Sequence, residues 1–386
     1  MGRPAKARID LDALRHNYRV LRDHHGGRAL AVIKADAYGH GAWRCARALA
    51  GQADAFAVAF VEEALALREE GLQAPILVLE GAFDAAQLRA AAQAGLWMVV
   101  HQPAQLAMLD ALPAGTRLPV WLKLDTGMHR AGFDPADAAA VYRQLREHPR
   151  VADGITWMSH LARADEPGHP ATATQVRRFD AATAGLPGAR SLANSAGVLG
   201  WPETHRDWAR PGIALYGADP MPASSPGPGQ DLRAVMRLTS QVFAVRDLAA
   251  GEAVGYGCTW TAARPSRLGL VAMGYADGFP RTIAAGTPLL VDGLPCPLAG
   301  RVSIDMLIVD LTDHPRLGTG AEVECWGPAL PVNTVAAAAG TISYELLCGV
   351  KRVPLVEATP LQRHRPAPAG RAATGFPTPG TPDSGR

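Results

Sequence analysis

Short apolar runs recur along the first half of the chain, and the stretches between them carry apolar residues on a helical period. ALAVI (29–33), AFAVA (55–59), PILVL (75–79), WMVV (97–100), PVWLKL (119–124), GITWMS (154–159), RSLAN (190–194) and DWAR (207–210) read as strands. AWRCARALA and VEEALALREEG, lying between them, read as helices, the second closed by glycine. Eight strand–helix units of this length predict an α/β fold, an N-terminal (β/α)8 TIM-type barrel. The last two runs are weak, which leaves an open doubly wound sheet as the alternative.

The pattern changes after ADPMPASSPGPGQDL (218–232), whose proline, glycine and serine could continue neither element type. RLTSQVFAVRDL, RLGLVAM, TPLLV, MLIVDL and AEVECW follow, split by turn residues, and predict a mostly-β C-terminal domain. The expected division is a barrel over 8–232 and a β-rich domain over 233–364 joined by an N-terminal strand from 1–7. Residues 365–386, rich in Pro, Gly, Ala and Thr, are expected to be disordered.

Composition narrows the partners. At 386 residues the chain exceeds one ordinary core. Lys and Arg total 38 against 36 Asp and Glu, without a dense basic run, so nucleic acid is not an expected partner. The 5 cysteines (45, 258, 296, 325 and 348) form no C-x-x-C pair, which fits a reducing compartment rather than a disulfide framework or zinc knuckle. The N-terminus has no apolar signal core and no apolar run is long enough to span a bilayer; the expectation is a cytoplasmic protein without a membrane partner. The histidines show no metal spacing, so no metal is expected, and His24, His25, His101, His169 and His205 read as solvated.

A barrel carries its chemistry at the C-terminal ends of its strands. AVIKADAYGHG (31–41) places Lys34 there, directly after the first run. Ser195 after the seventh run, and Gly212–Ile213 opening a helix after the eighth, offer a hydroxyl and free N–H groups where barrels bind phosphate. Each feature alone has an ordinary reading, as a solvated lysine, a capped turn or a helix start. Together they are what a pyridoxal 5'-phosphate site requires.

With KLDTGMHRAGF, SHLARADEP, NSAG, RPGIALYG, GYGCTWTA, GYADGF, GRVSIDM and GTISYELLCGVKRVP, the lysine motif closely resembles the bacterial alanine racemases, in family order from about residue 7 to 356. The resemblance implies pyridoxal phosphate held covalently by Lys34, which acts as the D-face base. It implies a head-to-tail homodimer in which Tyr256 of the partner subunit is the L-face base. Arg210 would donate to the pyridine nitrogen, with His160 hydrogen-bonded to it. Tyr38 and Tyr344 would join Ser195, Gly212 and Ile213 around the phosphate. Arg130 would orient the substrate carboxylate, held by a carbamylated Lys123, since an unmodified lysine would repel it. Tyr275 would line the entrance. Ile304 stands where the family usually has methionine, in a position that binds substrate through its backbone N–H. That departure leaves a broader amino-acid racemase as an alternative to one acting on alanine. A non-catalytic pyridoxal-phosphate-binding homeostasis protein would share the barrel and Lys34 but lack the β-rich domain.

Overall fold

The computed structural model describes residues 2–221 and 228–358; the tail expected over 365–386 and the middle of the boundary segment lie outside the described residues. The chain opens with β1 (Lys6–Ile9) and turns into the helix Leu11–His25. Asp10 caps that helix by accepting the N–H groups of Asp12 and Ala13, both at 2.9 Å, and Gly26 ends it at φ 76°.

The barrel strands are β2 (Arg28–Val32), β3 (Ala55–Val58), β4 (Ile76–Val78), β5 (Trp97–Val100), β6 (Val120–Lys123), β7 (Thr156–Met158), β8 (Arg190–Ser191) and β9 (Trp208–Ala209). β2 to β7 each pair in parallel with the next strand, and β9 returns to β2 through Arg28–Trp208 and Ala29–Ala209. That return pairing makes a nearly closed barrel and removes the open-sheet alternative. The remaining seam, between β8 and β9, is bridged otherwise. Ser191 Oγ donates to the Trp208 carbonyl at 2.8 Å, and the Arg210 N–H donates to the Ala193 carbonyl at 2.9 Å. The two weak runs of the sequence are thus the two shortest barrel strands, of 2 residues each, joined by one side-chain and one backbone hydrogen bond.

The C-terminal domain is built on β10 (Met236–Leu248), followed by the short hairpin β11 (Ala253–Val254) and β12 (Trp260–Thr261), then β13 (Ser266–Val271), β14 (Pro288–Val291), β15 (Leu294–Pro297), β16 (Leu307–Asp310), β17 (Glu322–Trp326) and β18 (Leu355–Glu357). The first half of β10 lies between β1 and β17. After a register shift between Val242 and Ala244 its second half pairs with β13 instead. β1 therefore belongs to the C-terminal sheet, antiparallel to β10 and parallel to β18. One apolar core runs from the barrel into this sheet.

Among the described residues no helix is long and apolar enough to cross a membrane, and no His/Cys/Asp/Glu group could hold a metal ion. The histidines read as solvated divide on inspection. His25 is buried, its ring 5.0 Å from that of His205, which in turn lies 5.6 Å from His24. Return of the chain from β9 to β2 packs the end of the first helix against the 201–206 loop, a meeting that no local pattern announces.

Candidate functional site

The C-terminal mouth of the barrel holds a cavity of about 320 Å³. Lys34, Lys123, Arg130, His160 and Arg210 line it, and so do Tyr38, Ser195, Gly212, Ile213 and Tyr344. All ten of these positions thus converge on one space.

Lys34 leaves β2 into a run of left-handed backbone. Ala35, Asp36, Ala37 and Tyr38 all have φ of 52–54° and ψ of 42–52°. Each such non-glycine residue costs about 1–2 kcal/mol. A run of four persists only where its surroundings over-determine it, a pattern that gathers at functional sites. The turn reverses the chain at the lysine, leaving Lys34 half-exposed to the cavity while Tyr38 is buried beside it. His40 closes the turn: its Nδ1–H faces the carbonyls of Ala37 at 3.0 Å and Tyr38 at 2.9 Å.

Ser195 Oγ accepts the N–H of Gly212 at 2.9 Å and of Ala214 at 3.2 Å. The expected helix after residue 212 is a 3-10 turn, Ile213–Tyr216, and part of its N–H set is thus organised through the serine. A Cβ at Gly212 would lie 2.4 Å from the Tyr38 hydroxyl, so this approach requires glycine. Burial pushes the Tyr38 phenol up, and it pushes Tyr344 up to about 12, keeping both hydroxyls protonated as donors.

Arg210 is buried, and its guanidinium donates to Ser191 Oγ, the Ser159 carbonyl at 2.6 Å and the Leu192 carbonyl at 3.3 Å. Burial brings its pKa down to about 10, so it stays protonated at neutral pH. No carboxylate lies within ion-pair distance among the described residues. The expected His160–Arg210 hydrogen bond is not formed: strand-end carbonyls of β7 and β8 lie closer to the fork, and His160 is its neighbour in the cavity wall. Burial, then the Arg210, Arg130, Lys123 and Lys34 charges, hold the His160 imidazole neutral.

Lys123 is buried at the end of β6. Burial lowers its pKa to about 8, Glu80 opposes the shift, and Arg130, Arg210 and Lys34 reinforce it. Arg130 is exposed at the end of a loop shaped by Asp125, whose Oδ1 accepts the N–H groups of Gly127, Met128 and His129 at 2.9–3.0 Å. Asp125 therefore holds the loop that carries the arginine.

Tyr256, Tyr275 and Ile304 are not part of this cavity; all three stand exposed on the C-terminal domain, Tyr256 at 67%. Tyr256 sits in the turn between β11 and β12, where Gly255 at φ 77° and Gly257 at φ 74° form the loop. The Ile304 N–H has no partner among the described residues, and its carbonyl accepts from Ala276 at 2.9 Å. The sequence pattern singles out neither Glu80, which lines the cavity with Lys34 and Lys123, nor Asp277. Asp277 is in fact fully buried beneath Tyr275. Nothing in the local sequence marks either carboxylate.

These donors suit pyridoxal phosphate. One cavity brings together an amine, a buried guanidinium without a carboxylate partner, and a glycine-tight hydroxyl and N–H cradle. Lys34 would hold the carbonyl carbon, Arg210 the ring nitrogen, and Tyr38, Ser195, Gly212, Ile213 and Tyr344 the phosphate.

Comparison with known proteins agrees with this fit. Residues 9–220 match the family described as alanine racemase, N-terminal domain, and residues 235–357 match alanine racemase, C-terminal domain. An alanine racemase of Azoarcus sp. (strain BH72) is 60% identical over 351 residues, 91% of this chain and 98% of the relative. A catabolic alanine racemase of Pseudomonas aeruginosa is 55% identical, covering 92% and 99% of the two chains. Among solved structures, the biosynthetic alanine racemase of Pseudomonas aeruginosa superposes with a TM-score of 0.89 at 48% identity, covering 93% of this chain and all of that one (100%). The alanine racemase of Bartonella henselae with covalently bound pyridoxal phosphate gives a TM-score of 0.84 at 32% identity, covering 92% and 100%.

Proposed function

The chain belongs to the alanine racemase family and is a pyridoxal-phosphate enzyme, and on that premise we propose that it interconverts L- and D-alanine with two bases drawn from two subunits. Lys34 serves the D-face, and Tyr256 of the partner subunit serves the L-face. The observation that carries this reading is a separation: the phenol that the C-terminal domain places in the cavity with Lys34 is Tyr344, which burial keeps protonated and which we assign to the phosphate, while Tyr256 stands exposed outside it. A racemase must remove the α proton from one side and return one to the other, and two opposed groups do this without turning the substrate. A head-to-tail homodimer supplies the second group and covers Tyr275 and Ile304 at the same time.

Bound pyridoxal phosphate supplies an electron sink that acidifies the substrate α carbon. Arg210 keeps a hydrogen bond, rather than a mobile proton, at the ring nitrogen, because its pKa of about 10 keeps it charged at neutral pH. That tempers the sink and suits proton return over other outcomes. Arg130 grips the substrate carboxylate and the Ile304 N–H of the partner subunit offers a further donor to it. Neutral His160 adds no further cation to a wall that already holds Lys34, Lys123, Arg130 and Arg210. Lys123 is carbamylated in this reading: its neutral amine attacks carbon dioxide, an N–C bond forms and a proton leaves to solvent. The resulting anion holds Arg130 in place of a repelling ammonium. Unpaired cysteines fit a cytoplasmic setting, in which D-alanine would serve as a peptidoglycan precursor.

The test is to purify the protein, record the visible absorbance of bound pyridoxal phosphate, and follow conversion of L-alanine beside L-serine and L-lysine. Alanine turns over fastest if the reading holds. Faster turnover of lysine makes it a broad racemase instead.

A further inference from the structure

We propose that Glu63, on the helix after β3, is the positioning residue that aims Lys34. Its carboxylate is the side chain that meets the peptide directly after the lysine: Oε1 accepts the Ala35 N–H at 2.7 Å. Its other oxygen accepts the Ala59 N–H at 2.7 Å and the Phe60 N–H at 3.1 Å, at the C-terminal end of β3. Glu63 lies in the first turn of the helix Val61–Glu69, whose start leaves N–H groups without helical partners. Two of its three bonds thus cap the helix and end the strand. The third reaches across to the neighbouring strand, where helix capping has no need of it.

That third bond falls where the backbone is most strained. Ala35 is the first of the four left-handed residues, and relaxing it would rotate the peptide plane that follows Lys34. The far end of the turn has its own restraints: His40 on the Ala37 and Tyr38 carbonyls, and Asp36 Oδ1 on the Ala42 N–H at 2.6 Å. On the strand side, the Ile33 N–H donates to the Ala57 carbonyl at 2.8 Å. Lys34 is therefore fixed before its Cα by β3 and after its Cα by Glu63, which is itself anchored to the end of β3. One strand end references both sides of the lysine. A long, four-carbon side chain must place its nitrogen on one face of the substrate, and a fixed Cα frame is what makes that placement reproducible.

This inference rests on Lys34 acting as the D-face base. The experiment uses Glu63→Gln holoenzyme with Tyr256→Phe as reference, each assayed with α-deuterated L- and D-alanine in both directions. Glutamine keeps one acceptor but turns an amide donor toward N–H donors. The expected result for Glu63→Gln is a kcat lower by at least about tenfold with KM little changed. Its substrate deuterium effect rises from D-alanine, falls from L-alanine, and the visible circular dichroism of bound cofactor changes. A merely structural role would lower stability and the active fraction and leave isotope effects and dichroism as in wild type, which overturns the proposal. In Tyr256→Phe the deuterium effect must rise from L-alanine instead. If it does not, the two-base reading fails, and the Glu63 result is then judged on the dichroism alone. Should Glu63→Gln not fold, Ala35→Gly is added, because glycine adopts the left-handed conformation without steric cost. The double variant is expected to fold and keep the same isotope signature; wild-type isotope effects in it contradict the proposal.

Discussion

Arg3 forks Asp277, 274 residues further along the chain, with hydrogen bonds of 3.0 and 2.7 Å to the two carboxylate oxygens. Asp277 is fully buried, also accepts the Gly274 N–H at 3.0 Å, and ends the turn that carries Tyr275. The N-terminal arm thereby locks both β1 and the tyrosine turn into the C-terminal sheet. Removing the guanidinium leaves a buried carboxylate with backbone donors and the more distant Arg352, 3.9 Å away. Arg3→Ala should destabilise the protein by about 3 kcal/mol, seen as a lower thermal midpoint of the holoenzyme. Arg3→Lys should recover only part, because an ammonium cannot fork two oxygens.

Lys123 gives a prediction about carbon dioxide. Carbamylation requires the neutral amine, and a pKa of about 8 makes that form abundant at pH 8.5 and scarce at pH 6. Enzyme equilibrated with ¹³C-bicarbonate should show a carbamate carbon signal at pH 8.5 that fades toward pH 6 and is absent from Lys123→Ala. A small carboxylate added to Lys123→Ala should restore part of the lost activity by standing in for the anion beside Arg130. Absence of the carbon signal from wild type at pH 8.5 would remove the modification from the account.

Acid should loosen the fold through buried histidines. Burial, then the charges of His205 and His24, lower the His25 pKa to about 4, and burial lowers His40 to about 4. Both bind protons in the unfolded chain from the ordinary value of 6.5 downward, but in the folded chain only near 4. Stability is therefore full above about pH 7 and falls as pH drops toward 4, by up to about 1.4 kcal/mol per pH unit for each histidine. Urea midpoints at pH 7.5 and 5.0 check this, and His25→Gln should show a smaller drop than wild type.

The barrel and its cavity were legible because their signals are local. Apart from RSLAN, whose strand stops three residues early at Ser191, each apolar run predicts its barrel strand within two residues, and the Lys34, Ser195 and Gly212 positions follow from strand ends. What escaped reading depends on distant pieces meeting. Asp277 looks like a turn aspartate beside glycine until residue 3 arrives. His25 looks solvated until the 201–206 loop packs on it, and Glu63 looks like an ordinary first-turn acid until β2 brings Ala35 within reach. The left-handed run at 35–38 was invisible for a different reason. Alanine and tyrosine carry no preference for that conformation and Asp36 favours it only as a single residue, so tertiary restraint must hold the run of four.

The most direct test of the shared site is a mixed dimer. Lys34→Ala and Tyr256→Phe subunits, carrying different tags, are co-expressed and the heterodimer is purified. One of its sites combines both defects, while the other joins an intact Lys34 to an intact Tyr256. The account predicts that each parent homodimer is nearly inactive and that the heterodimer regains about half the wild-type rate. A heterodimer as inactive as its parents would contradict it.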